Sequence, residues 1–130
     1  MEESVFTKII NGEIPCHKVY EDEATIAFMP LHMMGLAHVL VVPKKQVDEF
    51  QDLEEAEYIA VMQTVKKVAL RMKQVLQPKR VGLKVVGLDV PHAHIHVIAF
   101  NTLDEYISSP DESNEPDHDR LALMAERLRF

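Results

Sequence analysis

Residues 91 to 98 read Pro91-His92-Ala93-His94-Ile95-His96-Val97-Ile98, which places three imidazoles two residues apart among small and apolar side chains. Successive side chains of a β-strand point to opposite faces, so this spacing predicts a strand with all three histidines on one face. Buried imidazoles need hydrogen-bond partners, and a row of three is therefore unfavourable in a hydrophobic core. The row indicates a functional site.

A row of imidazoles is compatible with three chemistries. Two of the rings can chelate a metal ion together with a third ligand such as His38 or His32, although no carboxylate or cysteine lies at a close spacing. A neutral imidazole is also a competent nucleophile at phosphorus, with flanking imidazoles handling protons. The same donors can instead hold a phosphate without turnover. The row alone leaves all three open.

The composition limits the class of protein. A chain of 130 residues suits one domain, and its formal net charge of −7 without a stripe of Lys and Arg argues against duplex nucleic acid as a partner. Cys16 is the single cysteine, so no intrachain disulfide is expected. The acidic start and the lack of a long apolar run predict a cytoplasmic protein with no secretory leader and no membrane partner.

Apolar periodicity predicts three helices. The first runs from Ser4, its N-cap, to about Asn11, and the last is an amphipathic segment at residues 121–128. The longest begins near Asp52, where Asp-x-x-Glu to Glu55 resembles a capping box, and ends before Pro78. Its buried spine is expected to contain apolar residues three and four apart: Ile59, Met62, Val65, Ala69, Met72 and Leu76.

Short apolar runs predict about five strands. The segments are residues 18–21, 25–29, 38–42, 81–86 and 92–99. The acidic turn Asp22-Glu23 predicts a hairpin between the first two. The sum is an α+β fold with a mainly antiparallel sheet, one long helix and short N- and C-terminal helices.

The composition changes at Asp104, after which acidic residues dominate. We expect residues 1–103 to form the main domain. Residues 104–130 are interpreted as an acidic connector and a C-terminal helix, which belong to the same domain or form a dimer arm.

Four sequence blocks together resemble one family. The block His92-Ala93-His94-Ile95-His96-Val97-Ile98 is similar to the His-φ-His-φ-His-φ-φ signature of the histidine triad (HIT) family. Three more agree in order: Val5-Phe6-Thr7-Lys8-Ile9-Ile10-Asn11-Gly12-Glu13-Ile14-Pro15, Val19-Tyr20-Glu21-Asp22-Glu23, and His38-Val39-Leu40-Val41-Val42-Pro43-Lys44. The resemblance runs from about Val5 to Phe100. It implies a HIT-like fold and a homodimer, most similar to the nucleoside phosphoramidase, or purine nucleotide-binding, branch.

The resemblance also implies an enzyme, a nucleotidyl hydrolase that needs no metal and no cofactor. Its ligand would be a purine nucleoside monophosphate or a conjugate of one. By position, His94 would attack the α-phosphorus and form a nucleotidyl-histidine intermediate. His96 would contact the phosphate and the leaving group, His92 would orient His94, and His38 would complete the proton network.

The nucleotide-binding residues follow from the same resemblance. Phe6, Ile9 and Phe28 match apolar positions that sandwich the base. Val5 and Leu31 would extend that pocket or serve only as core. Asp89 stands near the phosphate contacts, where a carboxylate would repel the substrate unless it points away, and it is interpreted as structural.

Three departures from the family pattern bear on the substrate. Pro30 stands where an acidic residue usually holds the ribose hydroxyls, and proline offers neither a side-chain acceptor nor an N–H. Residues 86–90 replace a longer Gly-rich loop with its Asn and Gln. Ser4 and Thr7 replace the cysteines of a zinc site found in some members, so no structural zinc is expected. A dinucleoside polyphosphate hydrolase, or a nucleotide-binding protein with little catalysis, remains the alternative.

Overall fold

The computed structural model describes residues 2–130. The α+β prediction is confirmed: one five-stranded antiparallel sheet is packed with α-helices. The elements are α1 (Val5–Ile10), β1 (Lys18–Glu21), β2 (Thr25–Phe28), β3 (Ala37–Pro43), α2 (Glu55–Leu76), β4 (Arg80–Lys84), β5 (Ile95–Phe100), α3 (Leu103–Ile107) and α4 (His118–Leu128).

The strand order β1-β2-β3-β5-β4 puts β3 and β5 at the centre of the sheet. Alternate residues of β3 face α2, and the set in the core with that helix includes Val39 and Val41. His38 and Leu40 therefore point to the opposite face. Along β5, Val97 packs on the α2 side, which places His96 on the same face as His38. The long helix thus backs the sheet and leaves the other face for the histidines.

The predicted strand at 92–99 is wrong at its start, because pairing with β3 begins only at Ile95, opposite Val41. His92 and His94 lie in the irregular segment that precedes β5. His92 N–H donates to Val90 O in a turn across Pro91, so the chain bends where the spacing predicts an unbroken strand. The three imidazoles do not form a flat row, and each acquires its own partners.

The predicted start of the long helix is also corrected. Glu54 is the N-cap of α2, and its reciprocal capping box is with Glu57, while Asp52 lies in a short 3-10 turn. Of the expected spine, Val65 and Met72 are buried and Met62, Ala69 and Leu76 pack half-buried against the core, whereas Ile59 is 45% exposed. Val61, Thr64 and Val68 complete the buried face. Thr64 is tolerated inside because its hydroxyl lies 2.7 Å from that of Thr25, so neither is left without a partner.

Two helices follow the sheet. The first, α3, is not predicted by the sequence pattern and occupies the start of the expected connector, with Thr102 as its N-cap. The second, α4, buries Leu121, Ala125 and Leu128 in the core beside α2 and β1. Phe130 N–H donates to Val19 O, so the last residue is joined to β1 of the same chain. Within residues 2–130, no helix combines the length and apolar character needed to cross a bilayer.

Candidate active site

His94 is buried directly before β5, with only 6% of its surface exposed. Its Nδ1 lies 2.8 Å from the carbonyl oxygen of His92, which can only accept, so Nδ1 carries the proton and donates. Nε2 then keeps a free lone pair. Burial lowers the pKa of His94, although this backbone bond and the charge of Asp89 oppose the shift. His94 is therefore a neutral imidazole at neutral pH, in the tautomer that leaves Nε2 nucleophilic.

His92 is fully buried and has a partner on each ring nitrogen. Its Nε2 donates to Pro43 O over 2.7 Å, because that carbonyl can only accept. Its Nδ1 must then accept, and the Ser4 hydroxyl lies 2.7 Å away as the donor. These two contacts hold the ring and the backbone behind it. The carbonyl that receives the His94 proton is thereby held in place as well.

The Ser4 hydroxyl belongs to a larger hydrogen-bond cluster at the N-terminus of α1. Ser4 Oγ also accepts from Thr7 N–H over 3.0 Å, as an N-cap. Thr7 Oγ1 donates to Gln46 Oε1 over 2.8 Å, and Ser4 N–H donates to the same oxygen over 2.9 Å. These bonds link Ser4, Thr7 and Gln46 into one unit, which fixes the ring of His92.

His38 and His96 form a second pair, with His38 Nε2 2.8 Å from His96 Nδ1. Met34 N–H donates to His38 Nδ1 over 3.2 Å, so the proton of a neutral His38 lies on Nε2 and is donated to His96. His96 consequently presents Nε2–H to the site. Burial, the neighbouring imidazoles and Lys84 lower the pKa of His38 to about 3 and of His96 to about 4.

The apolar candidates surround His94 on one side. The Phe6 ring meets His94 edge to face at a centroid distance of 4.9 Å, and meets Phe28 at 5.4 Å. Phe6 and Phe28 are buried in one apolar cluster, and Ile9 packs against it half-buried. The structure thus brings these three predicted residues together beside the histidines.

The three other candidates lie further out. Val5 is 42% exposed and Leu31 is 57% exposed, so neither serves as core. Asp89 is an exposed residue of the link before the histidines. Its charge acts on both His94 and His96, raising the pKa of each against the effect of burial. Asp89 thus lies close enough to influence the site electrostatically.

A comparison with protein families identifies the fold. The model of the HIT domain matches residues 11–102 of this chain. The chain belongs to the HIT family. The resemblance to the HIT family is confirmed.

Other members of the HIT family are similar over most of the chain. An uncharacterized HIT-like protein of Methanocaldococcus jannaschii is 38% identical over 104 residues, which are 72% of this chain and 76% of that protein. The crystal structure of a Hit-like protein involved in cell-cycle regulation from Bartonella henselae superposes with a TM-score of 0.84, at 27% identity over 97% of this chain and 93% of that one. A HIT family hydrolase from Legionella pneumophila has a TM-score of 0.63, at 26% identity over 73% and 90%.

The donors of the cluster around His92 do not suit zinc. Zinc in proteins is bound by thiolates, imidazoles and carboxylates, whereas this cluster consists of two hydroxyls, one amide and one imidazole. The imidazole nitrogen that faces the cluster already accepts from Ser4. Within residues 2–130, no group of three or more His, Cys, Asp or Glu side chains is placed to hold a metal ion.

Sequence reasoning missed three residues around the site. Gln46 accepts from Ser4 and Thr7, Lys84 lies opposite His96, and Tyr106 contacts Lys84. Gln46 follows β3 and is separated from Ser4 by 42 positions, so no local pattern marks their contact. Lys84 falls in a predicted strand with no assigned role, yet it pairs directly with His96. A strand pairing of residues 84 and 96 is the one signal that could have found it, since opposite residues of paired strands share a face.

Proposed function

We propose that this HIT protein is a metal-independent nucleotidyl hydrolase. It cleaves a nucleoside 5'-monophosphate from an amine or another leaving group through a nucleotidyl-His94 intermediate. The observation that carries the proposal is the bond from His94 Nδ1 to His92 O, which fixes the tautomer and directs a free Nε2 lone pair into the site. Membership of a family that includes a described hydrolase supports it.

The reaction proceeds in two displacements at phosphorus. His94 Nε2 attacks the α-phosphorus, the new N–P bond forms, and the bond to the leaving nitrogen or oxygen breaks with its electron pair on the leaving atom. A proton from His96 neutralises that atom. Water then attacks the same phosphorus and gives a proton to the neutral His96, the N–P bond breaks with its electron pair on His94 Nε2, and the nucleoside monophosphate leaves with His94 again a neutral imidazole.

His96 can supply this proton because its Nε2 is directed away from His38. The free ring has a pKa of about 4 and is neutral at neutral pH. A bound phosphate brings negative charge next to the ring and raises that pKa, so His96 takes up a proton with the substrate and donates it to the leaving group. His38 orients the neutral His96, since its own Nε2–H is donated to His96 Nδ1, and the proton that His96 takes up binds at this Nδ1 and replaces that bond.

The proposed ligand is a purine nucleoside monophosphate or its conjugate. Phe6, Phe28 and Ile9 supply an apolar wall for the base next to His94. Exposed Val5 and Leu31 form its outer rim in this proposal, and Asp89 lies near the phosphate without binding it.

The proposal treats residues 104–130 as part of the same domain as residues 1–103. The support is the packing of α4 on α2 and β1 of this chain, with the terminal Phe130 joined to Val19. A dimer arm would leave these contacts for a partner. The proposed setting is the reducing cytoplasm, which suits a chain whose single cysteine, Cys16, has no disulfide partner.

We also propose a homodimer formed through β4 and the start of α2. This surface exposes Tyr58 on α2 and Leu83 and Val85 around β4, each between 42% and 46% exposed. These side chains, together with Phe50, line a cleft of about 200 Å³. Because β4 is an edge strand with unpaired backbone groups, a second copy can pair along it and cover the apolar surface.

The alternative within the binding class is a nucleotide-binding protein with little catalysis. It is favoured by Pro30 and by the short link at residues 86–90, which remove expected contacts to sugar and phosphate. A dinucleoside polyphosphate hydrolase is the alternative within the enzyme class. It would use the same His94 with a different leaving group.

One experiment separates these functions. The protein is mixed with an adenosine 5'-phosphoramidate and stopped within one turnover, and the intact mass is measured. We expect an adduct of one adenylyl group on His94 followed by release of AMP. AMP binding by calorimetry without an adduct would favour the binding protein, and faster turnover of a diadenosine polyphosphate would favour the alternative enzyme.

A further inference from the structure

The cation next to the histidines is a feature that the proposed mechanism does not use. In the pairing of β4 with β5, Lys84 lies directly opposite His96. Opposite residues of antiparallel strands project to the same face with their Cβ atoms about 5 Å apart. Lys84 therefore stands on the histidine face of the sheet, next to the ring that presents Nε2–H to the site.

The same face carries the segment that holds Lys84 in place. The ammonium donates to Tyr106 O of α3 and lies 4.5 Å from the centroid of the Tyr106 ring. The Tyr106 ring packs on Phe100 at 4.8 Å, and its hydroxyl donates to Leu83 O. Contacts to both strands thus fix Tyr106, and Tyr106 fixes Lys84.

Gly82 makes this packing possible. Gly82 pairs with Ile98 and lies two residues before Lys84, so it faces the same side of the sheet. A Cβ at residue 82 would overlap the Cε1 atom of Tyr106. The glycine therefore leaves the room that the ring occupies, and α3 can lie on the histidine face next to Lys84.

Among the ion pairs of residues 2–130, none joins Lys84 to a carboxylate that would neutralise its charge. Its two contacts are a carbonyl oxygen and an aromatic face, which both leave the positive charge uncompensated. The positive charge of Lys84 acts on the histidines, since it contributes to the low pKa of His38 and of His96. Such a cation on the face of three neutral imidazoles favours an anion at the site.

We propose that Lys84 is a substrate-binding residue that contacts the phosphate of the nucleotide and neutralises its charge, with Tyr106 as its positioning residue. The inference rests on the proposed function and extends it. Residues 86–90 are too short to supply the Asn and Gln contacts of a longer loop, and Lys84 lies just before that link. In this proposal Lys84 on β4, held by Tyr106 of α3, binds the phosphate in place of a longer loop.

The test is Lys84→Met, which keeps the length of the side chain and removes its charge. We expect KM for the phosphoramidate and the Kd for AMP to rise about 10- to 100-fold, as for loss of a charged hydrogen bond. Lys84→Arg keeps the charge and should recover most of the affinity. Lys79→Met is the matched control, because Lys79 is exposed beyond the far end of β4 and the net charge changes equally.

A second measurement distinguishes binding from a general loss of structure. The rings facing His96 and the charges around it are His38, His94, Lys84 and Asp89. Removal of the Lys84 charge should raise the pKa of His96, measured by NMR titration of the imidazole. Tyr106→Leu should give a smaller rise in KM and a smaller change in the same titration, because the ammonium keeps its charge and the carbonyl acceptor of residue 106 but loses the aromatic face.

Two outcomes would overturn the role of Lys84, and a third would overturn the hydrolase proposal instead. If Lys84→Met matches Lys79→Met in KM, in AMP affinity and in the titration, Lys84 does not bind phosphate. If Lys84→Arg is as defective as Lys84→Met, charge is not what matters. If the wild-type protein binds AMP with Lys84-dependent affinity but forms no adduct, the hydrolase proposal fails and the role of Lys84 stands.

Discussion

His38 Nε2 lies 2.8 Å from His96 Nδ1, and this contact joins the central strands β3 and β5 within the site. The bond has a single direction, because Met34 N–H already occupies His38 Nδ1. A buried and a half-buried neutral ring are therefore held in defined tautomers without any charged partner. The arrangement depends on both rings staying neutral, and its stability depends on pH for that reason.

Acidification should destabilise the fold earlier than ordinary acid unfolding does. The folded pKa of His38 is about 3 and that of His96 about 4, whereas an unfolded histidine titrates near 6.5. Below about pH 6.5 these two histidines are protonated in the unfolded chain but remain neutral in the folded chain. Each ring then lowers the free energy of unfolding by up to about 1.4 kcal/mol per pH unit, until its folded pKa is reached.

Urea denaturation at several pH values between 7 and 4.5 measures this dependence. His38→Asn should flatten the slope by about the contribution of one ring. His118→Asn is the control, since His118 lies on the surface at the start of α4. An equal slope in the wild type and in His38→Asn would contradict the assignment of His38 as a buried neutral ring.

Replacement of the nucleophile should abolish turnover without unfolding the protein. In His94→Asn we expect the adduct to disappear and kcat to fall at least about 1,000-fold. The amide of the substituted side chain keeps a donor for His92 O, so the bend before β5 should survive. Intact mass and steady-state kinetics report the chemistry, and circular dichroism reports the fold. Unchanged phosphoramidate turnover in a folded His94→Asn protein would refute the mechanism.

Turnover should be insensitive to chelators. The proposed reaction uses imidazoles for attack and proton transfer, and the donors around His92 do not suit zinc. We expect the same kcat before and after dialysis against a strong chelator, with the metal content followed by elemental analysis. Loss of activity that returns with zinc would support the metal-binding alternative.

The Ser4 cluster should contribute to both stability and rate. Ser4→Ala removes the cap of α1 and leaves His92 Nδ1 without its donor, so we expect about 1–3 kcal/mol lower unfolding free energy. We also expect a several-fold lower kcat, because His92 O loses its fixed position. Asp117→Ala removes the cap of α4 instead, and should cost about 1 kcal/mol with kcat unchanged. Equal kinetics in both variants would deny the cluster a positioning role.

Sequence patterns predict the elements of this fold well, and their boundaries less well. The hairpin, the apolar β3 and the cap at Ser4 are all confirmed, because each depends on local residues. The start of β5 is missed because a period of two describes His92 to His96 equally well whether or not the strand is paired. Only the position of Val41 across the sheet decides that pairing begins at Ile95.

The candidate site divides in the same way. Its histidines and Phe6 could be named from the sequence, since the histidine signature and two further blocks of the family resemblance contain them. Gln46 and Lys84 could not, because neither belongs to a local pattern that marks chemistry. Their contacts with Ser4 and His96 arise from strand pairing and loop returns, over separations of 42 and 12 positions.

The homodimer can be tested on its proposed surface. Leu83→Glu places a charge on the exposed edge of β4, and we expect a monomer in light scattering where the wild type is a dimer. Leu123→Glu is the control, because Leu123 is 65% exposed on α4 and lies outside the proposed interface. A monomeric wild type, or a dimer that survives Leu83→Glu, would contradict this surface.

Selectivity for the sugar should be weak, because Pro30 offers no acceptor for the ribose hydroxyls. We expect kcat/KM for the ribose and 2'-deoxyribose forms of an adenosine phosphoramidate to agree within about threefold, since no charged hydrogen bond separates them. Pro30→Asp should raise the preference for ribose about tenfold by adding a carboxylate acceptor. Pro30→Ala controls for the loss of the proline ring and should leave the ratio near that of the wild type. A strong ribose preference in the wild type would show that another residue replaces the missing acid.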